Sequence, residues 1–194
     1  MNLNIPSMKD AVERNLALLE PEADIVPTVV THGPDGIAVT EMVFDISDDH
    51  DREHLADLLS ATIIIDRADS AMFTMMAWSV TAEVEPEGDL AGHPDRREIV
   101  MIAHLTGDGD AMFAAPIHRS SGSPTVGEWA EYSAGSFDGR LYAGMRMGLH
   151  LVSDMPESIS AAIEATDRDA AVTAVARALM LQRQARREEF YRRN

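Results

Sequence analysis

Residues 50–54, HDREH, hold the side chains of this chain that are best suited to chemistry. His50 and His54 are four residues apart, so on a helix they share one face, where two imidazoles can bind one metal ion. Glu53 lies between them, and a carboxylate next to bound zinc can take a proton from water. The spacing therefore indicates a candidate zinc site for hydrolysis, with two histidine ligands and a glutamate base.

The same segment also has the features of an ordinary helix start. Ser47, Asp48 and Asp49 precede it, and these residue types cap helix N-termini, while acids in the first turn interact favourably with the helix dipole. H-x-x-E-H resembles the motif of inverzincin proteases, but those enzymes are far larger and nothing else here is similar to them. Catalytic zinc also needs a third protein ligand, and none lies at a telling spacing. We predict a helix start and keep the zinc site as the alternative.

Other polar combinations give weaker signals. His104 and His118 lie in adjacent predicted strands, but a hairpin turning at 107–110 pairs residues whose numbers sum to about 217, so His104 faces residue 113. Asp108 and Asp110 are interpreted as part of a tight turn, because a calcium loop needs more oxygen ligands. No catalytic triad pattern and no phosphate-binding loop is recognisable, and a single lysine makes lysine-dependent chemistry a poor candidate.

Two further features favour binding. Arg96 and Arg97 follow a proline turn and enter a predicted strand, where two guanidinium groups can clamp a carboxylate or a phosphate. The simpler interpretation is that they neutralise nearby acids. Trp129 can either pack in the core or anchor an interface, whereas Trp78 lies in the most apolar strand and is predicted to be buried.

Charge is divided unevenly along the chain. The net charge is −17, yet residues 168–194 contain seven arginines and three acids, a net of +4, which leaves −21 for residues 1–167. An acidic body repels nucleic acid and anionic membranes, and it can pair with its own basic arm, within one chain or between chains. The arm arginines that we predict to take part in interactions are Arg177, Arg183, Arg186 and Arg187.

The hydrophobic pattern predicts an α+β fold, one domain with an antiparallel sheet and flanking helices. Ser7 and Asp10 resemble a capping box at the start of the first helix, and GPDG at 33–36 is typical of a hairpin turn. The predicted elements are a helix to Leu19, strands at 28–32 and 37–44, a helix at 49–62, strands beginning at 70, 98, 111 and 126, and helices at 156–165 and 169–193.

Residues 141–151 are ambiguous. Every odd residue from Leu141 to Leu151 is apolar, an alternation typical of a half-buried strand. Gly144 and Gly148 also count against a helix interior. We therefore predict a strand here.

Four segments, ADIVPTVVTHGPDG, MMAWSV, HPDRREIVMIAHL and AAPIHR, resemble a group of small uncharacterised bacterial and phage proteins over about residues 22–119. That group has an acidic residue just before the Ala-Trp pair, where this chain has Met76. The resemblance implies one compact α+β domain and transfers no functional residue. The order α-ββ-α-βββ-α is also similar in topology to roadblock, longin and profilin-like domains, and a fold alone does not give a function.

Composition sets the remaining limits. No apolar run approaches the length of about 20 residues that a membrane helix needs, and no signal-peptide pattern or cysteine is present, so we predict a cytoplasmic protein. Fifteen arginines against one lysine, with abundant Ala and Asp, are typical of a GC-rich coding sequence, as in actinobacteria, their phages or halophiles.

Together these patterns predict a sheet domain over 1–155 and a helical arm with a basic end over 156–194. The function that we expect is a non-catalytic protein–protein interaction or regulatory protein, homo-oligomeric and without a cofactor. Its expected partners are a second copy and another protein, with no binding to membranes or nucleic acid. The alternatives are a zinc-dependent hydrolase that uses His50, Glu53 and His54, and an acidic decoy that imitates nucleic acid.

Overall fold

The computed structural model describes residues 4–43, 49–79, 95–119, 122–133 and 139–193. It confirms a single α+β domain with an antiparallel sheet. The division at residue 155 stays a prediction. The elements are α1 Ile5–Leu18, β1 Thr28–Gly33, β2 Gly36–Glu41, α2 Asp49–Ile65, β3 Ser70–Ser79, β4 Arg97–Thr106, β5 Asp110–His118, β6 Thr125–Val126, β7 Ala130–Ser133, α3 Arg140–Ser153, α4 Glu157–Glu164 and α5 Arg168–Arg193.

The sheet has the strand order β2-β1-β3-β4-β5-β6, and β7 also pairs with β5. The predicted hairpin at 33–36 is confirmed, with Gly33 opposite Gly36. Gly36 has a φ of 104°, in the region that favours glycine, which explains the residue type at this position of the turn. Residue 44, the predicted end of the second strand, lies outside the described residues.

Helices cover both faces of the sheet. On one face, Val12 and Leu16 of α1 pack against Val100 and Ile102 of β4 and Phe113 of β5. On the other face, the apolar side of α2 (Leu55, Leu59, Ile63) packs with Met145 and Leu149 of α3 against Val29, Phe73 and Leu105. Successive side chains of a strand point to opposite faces of the sheet. Alternate residues of each strand therefore pack into two separate hydrophobic cores, one on each face.

The first helix begins earlier than its pattern predicted. Asn4 is the N-cap, and its side-chain oxygen accepts a hydrogen bond from the Ser7 backbone N–H at 3.4 Å. The predicted capping box of Ser7 and Asp10 is therefore wrong. Pro6 lies in the first turn, where its missing N–H removes no helical hydrogen bond, so the helix can include it.

The strand predicted over 141–151 is wrong, because these residues form the helix α3. Leu141, Met145 and Leu149 recur every four residues and face the core, a pattern that the odd-residue alternation conceals. The two glycines belong to a close helix contact: a Cβ on Gly144 would lie 2.6 Å from the carbonyl oxygen of Ala56, and one on Gly148 would lie 3.0 Å from that of Ser60. Small residues thus let α3 approach α2, where larger ones would separate them.

Two smaller expectations also change. Residues 126–132 contribute to two short strands, β6 and β7, and not to one. In the β4–β5 hairpin His104 faces Ala111, two positions from the predicted register, and His118 faces Thr125 of β6. The two histidines are not direct neighbours, as expected.

Candidate interaction surfaces

The HDREH segment forms the first turns of α2, so the predicted helix start is confirmed at Asp49. Two of the predicted caps, Ser47 and Asp48, lie outside the described residues. His50 and His54 are exposed, whereas Glu53 is half-buried. Together with residues of α5 they line a small cleft.

Glu53 lies among guanidinium groups. Its Oε1 accepts a hydrogen bond from Arg187 Nη2 at 2.5 Å, its Oε2 is 3.2 Å from Arg183 Nη1, and Arg140 Nη1 is 4.0 Å from Oε1. The hydrogen bond from Arg187 is the largest cause of a lowered Glu53 pKa. A carboxylate with a lowered pKa is a weak base, and three nearby cations disfavour a divalent metal.

Within the described residues, no group of three or more His, Cys, Asp or Glu side chains is arranged to hold a metal ion. The zinc hydrolase stays an alternative hypothesis, and the arginines around Glu53 argue against it physically.

One turn further along α2, Asp57 is 4% exposed and accepts a hydrogen bond from Arg183. Burial raises the pKa of Asp57, and the positive charge of Arg183 opposes that rise. At the other end of α2, Arg168 contacts both oxygens of Asp66, with Nε–Oδ1 at 2.7 Å and Nη2–Oδ2 at 2.8 Å. The basic helix α5 is therefore held at several points on the acidic helix α2 of its own chain.

The predicted interaction arginines thus differ in environment. Arg183 and Arg187 contact α2 within one chain, whereas Arg177 and Arg186 are exposed. Pairing of the arm with the body within one chain, one of the two alternatives, is what the structure contains. A role of these residues in binding another chain stays a prediction.

These contacts predict a pH dependence of stability. The folded-state pKa of Glu53 is lowered, so its contribution is fully present above the pKa of the unfolded chain and is lost as the pH falls through the folded pKa. Glu53→Gln removes this titration, so the variant should lose less stability than the wild type between about pH 5 and pH 3.

Urea unfolding of both proteins across this pH range measures the effect. Asp57 has a raised pKa and therefore acts in the opposite direction. Its pKa is raised mainly by burial, which both proteins share, and the charge of Glu53 is the smallest of the causes. An equal loss of stability in the two proteins would mean that the Glu53 contacts contribute nothing.

The two arginines of the pair Arg96–Arg97 have different surroundings, and a role as a clamp for an anion stays a prediction. The Arg96 guanidinium stacks on the Trp78 ring at 4.5 Å, and Trp78 is 45% exposed, so the expectation that Trp78 is buried is wrong. Trp78 lies near the end of β3, where the α1 face of the sheet reaches solvent. A stacked arginine covers an exposed ring favourably, and Arg97 is exposed at the start of β4.

Trp129 lies against α1. Its Nε1 donates to Glu13 Oε1 at 2.8 Å, its ring packs beside the core on the α1 side, and Lys9 lies 5.4 Å from its centroid. The structure thus gives Trp129 an intramolecular contact. Whether it also anchors an interface stays a prediction.

Strand β2 forms one edge of the sheet. Among the described residues it pairs only with β1. Just beyond it, Met42 N–H donates to Pro27 O at 2.7 Å, so even-numbered residues of this segment direct their backbone groups to β1. The backbone groups of Ile37, Val39 and Glu41 consequently point away from the sheet.

Apolar side chains accompany this open edge. Ile37 is 40% exposed, Val39 64% and Val43 80%. Val39 and Val26 also line a cleft of about 240 Å³ between α1 and the β1–β2 end of the sheet. Natural sheet edges usually carry lysine, proline or a bulge that prevents further pairing, and β2 has none of these.

No protein-family model, curated protein or solved structure matches this chain. Within the described residues, no helix has both the length and the apolar character to span a membrane.

Some site residues gave no signal in the sequence. Asp57 and Asp66 are two of many acids, and their arginine partners are more than a hundred residues away. Arg119, which bonds Glu98 and the carbonyl oxygens of Pro21 and Ala23, is equally inconspicuous. The hairpin at 33–36 was predicted from the sequence, but the open edge was not. Which of its two strands is outermost depends on the strand order of the whole sheet, and the sequence does not reveal that order.

Proposed function

We propose that this protein is a non-catalytic interaction protein that works as a homodimer, joined by antiparallel pairing of β2 with β2 of a second copy. The observation that carries the proposal is the open edge of β2, where the apolar residues Ile37 and Val39 are exposed. Pairing extends the sheet of one subunit into that of the other and gives hydrogen-bond partners to the outward backbone groups.

A twofold axis at Val39 fits this edge best. It places Val39 opposite Val39 of the second copy and Ile37 opposite Glu41, so no two like charges face each other. An axis one residue earlier, at Ala38, would place Asp35 opposite Glu41, which is unfavourable. An interface of this kind is isologous and closes on itself, as in most soluble dimers.

The proposal assigns the interface to β2 and not to the basic end of α5, because Arg183 and Arg187 already contact α2 of their own chain. The net charge of −17 opposes association of two copies. Dimerisation should therefore strengthen with salt at low ionic strength, as screening weakens the repulsion.

Val39→Lys tests the interface. It places two lysines opposite each other at the axis, so we expect a dimeric wild type and a monomeric variant in sedimentation velocity at matched micromolar concentrations. The substitution lowers the net negative charge, so dissociation cannot come from greater overall repulsion.

Ile159→Lys is the matched control, because Ile159 is 52% exposed on α4 and the charge change is identical. It should remain dimeric. Val39→Pro is a second test: the N–H that it removes points outward, so no hydrogen bond to β1 is lost, and the variant should also be a monomer. A monomeric wild type, or a dimeric Val39→Lys, would disprove the proposal.

A further inference from the structure

A cleft of about 360 Å³ lies between α2, α3 and α5. It is open to solvent, and its volume falls in the range of about 300–1,000 Å³ that is typical of small-molecule sites. Four of its lining residues are arginines, namely Arg140 at the start of α3 and Arg183, Arg186 and Arg187 on α5. Positive charge is thus concentrated here in a chain whose net charge is −17.

Helical spacing brings the arginines of α5 together. Residues at i, i+3 and i+4 lie on one face of a helix, so Arg183, Arg186 and Arg187 share a face of α5. Arg140 joins them from α3, because Arg140 Nη1 and Arg187 Nη2 both approach Oε1 of Glu53, at 4.0 Å and 2.5 Å. Guanidinium groups from two helices therefore converge on one point.

The acids of the cleft lie beneath the arginines. The side chains of Glu53 and Asp57 are 15% and 6% exposed, whereas those of Arg140 and Arg187 are 45% and 58% exposed. Arg186 is also exposed, and among the described residues it has no ion-pair partner. Four cations against two carboxylates give the lining a net charge of +2. The surface that a ligand meets is therefore cationic.

The floor of the cleft is apolar. Ala56, Ala143 and Gly144, at the contact between α2 and α3, form one part of it, and the longer side chains of Met147 and Leu179 form another. Met147 is 38% exposed, so a ligand that covers it removes apolar surface from water. A ligand that fits this cleft combines an anionic group with an apolar group.

We infer that this cleft binds a small organic phosphate, a phosphate monoester whose apolar group lies on Met147 and Leu179 while its phosphate contacts the arginines. A phosphate monoester carries close to two negative charges at neutral pH, which balance the +2 of the lining, whereas a carboxylate balances only half of it. Its three terminal oxygens also accept hydrogen bonds from guanidinium groups that approach from different helices.

A large polyanion fits less well. Nucleic acid or an anionic membrane would meet the acidic remainder of the chain, with −21 over residues 1–167, whereas a small ligand meets only the cleft. The lining residues come from α2, α3 and α5 and not from β2, so the inference is independent of the proposed dimer. Val39→Lys should bind the same phosphate as the wild type does.

Three probes separate the features of the ligand. Phenyl phosphate has a dianion and a ring, inorganic phosphate lacks the ring, and benzoate keeps the ring with one negative charge. Each is titrated at about pH 8, where the phosphates are fully charged, into protein labelled with ¹³C at its methionine methyl groups. We expect phenyl phosphate to bind about tenfold more tightly than either of the others. Of the twelve methionine signals, that of Met147 should shift most.

Three substitutions test the cleft itself. Arg186→Gln and Arg140→Gln each remove one exposed cation, and each should weaken phenyl phosphate binding about tenfold, as expected for a hydrogen bond to a charged group. Ala143→Leu adds bulk at an exposed position of the lining and should weaken it similarly. Arg177→Gln is the matched control, because it makes the same charge change at an exposed position of α5 outside the cleft. Its affinity should stay within about twofold of the wild type.

Several results would overturn the inference. Benzoate and phenyl phosphate of equal affinity would remove the role of the second charge, and inorganic phosphate of equal affinity would remove that of the apolar floor. An equal loss in Arg177→Gln and Arg186→Gln would show that phosphate responds only to overall charge. No binding of phenyl phosphate at millimolar concentration, or shifts that spare Met147, would show that the cleft is not a phosphate site.

Discussion

Gly144→Ala is expected to lower the free energy of unfolding by about 2 kcal/mol. In an ordinary helix interior the same change stabilises by about 1 kcal/mol, because alanine restricts the unfolded chain and favours the helix. Here the added Cβ would lie 2.6 Å from the backbone oxygen of Ala56. A backbone atom cannot move aside without separating α3 from α2, so the sign of the effect reverses.

Gly148→Ala is the graded comparison on the same helix. Its Cβ would lie 3.0 Å from Ser60 O and from Ile63 Cβ, a contact that small shifts relieve. We therefore expect a smaller loss than at Gly144, measured by urea unfolding of both variants. A stabilised Gly144→Ala protein would mean that the two helices do not approach as closely as the structure has them.

The Ser60 hydroxyl adds to this contact. It donates to the carbonyl oxygen of Gly144 at 2.5 Å, and it is fully buried. The same hydroxyl also lies 3.0 Å from Ala56 O in its own helix, so a displaced α3 would lose a hydrogen bond between the helices without leaving the hydroxyl unpaired. The α2–α3 contact is thus fixed by both shape and polarity.

The sequence predicted the element order well and misread one element for a definite reason. Over 141–151 the apolar residues at odd positions include Leu141, Met145 and Leu149, which are also spaced four residues apart as on one face of a helix. The same residues therefore fit both a strand and a helix pattern. Gly144 and Gly148 appeared to exclude a helix, because propensity describes an isolated helix and not one in close contact with another. The partner that explains them, α2, lies nearly ninety residues earlier, because Gly144 contacts Ala56 and Gly148 contacts Ser60.

The local turns were predictable because their chemistry is local. GPDG at 33–36 and GDGD at 107–110 both connect hairpins as expected. The Glu53 environment was not predictable, because the acids at the start of α2 satisfy a helix-start pattern whether or not arginines surround them. Only the fold brings Arg140 and α5 to that point.

The position of α5 explains why the C-terminal residues are basic and the rest of the chain is acidic. A basic arm on an acidic body could connect two chains, yet here Arg183 and Arg187 contact acids on α2 of the same chain, and Arg168 contacts Asp66 just after α2. The strongest positive region thus stabilises the fold. We therefore assign the proposed self-association to the open edge at β2.

Arg183→Met is expected to lower the free energy of unfolding by about 3 kcal/mol at neutral pH. The substitution keeps much of the side-chain volume and removes the cation, so Asp57 stays buried without its ion-pair partner. Burial already raises the pKa of Asp57. Loss of Arg183 should raise it further, and the loss of stability should diminish at lower pH as Asp57 binds a proton.

A double-mutant cycle separates the ion pair from general packing. Asp57→Leu in the Arg183→Met background should recover most of the lost stability, because replacing both partners of a buried pair by apolar groups is often neutral. Arg186→Met, on the same helix but exposed, should change stability by less than about 0.5 kcal/mol. If Arg183→Met matches that control, Asp57 is solvated or paired elsewhere, and α5 is not held on α2 by this contact. Recovery by Asp57→Leu would show instead that the loss in Arg183→Met comes from leaving the buried Asp57 carboxylate without a cation, and not from lost packing of the arginine side chain.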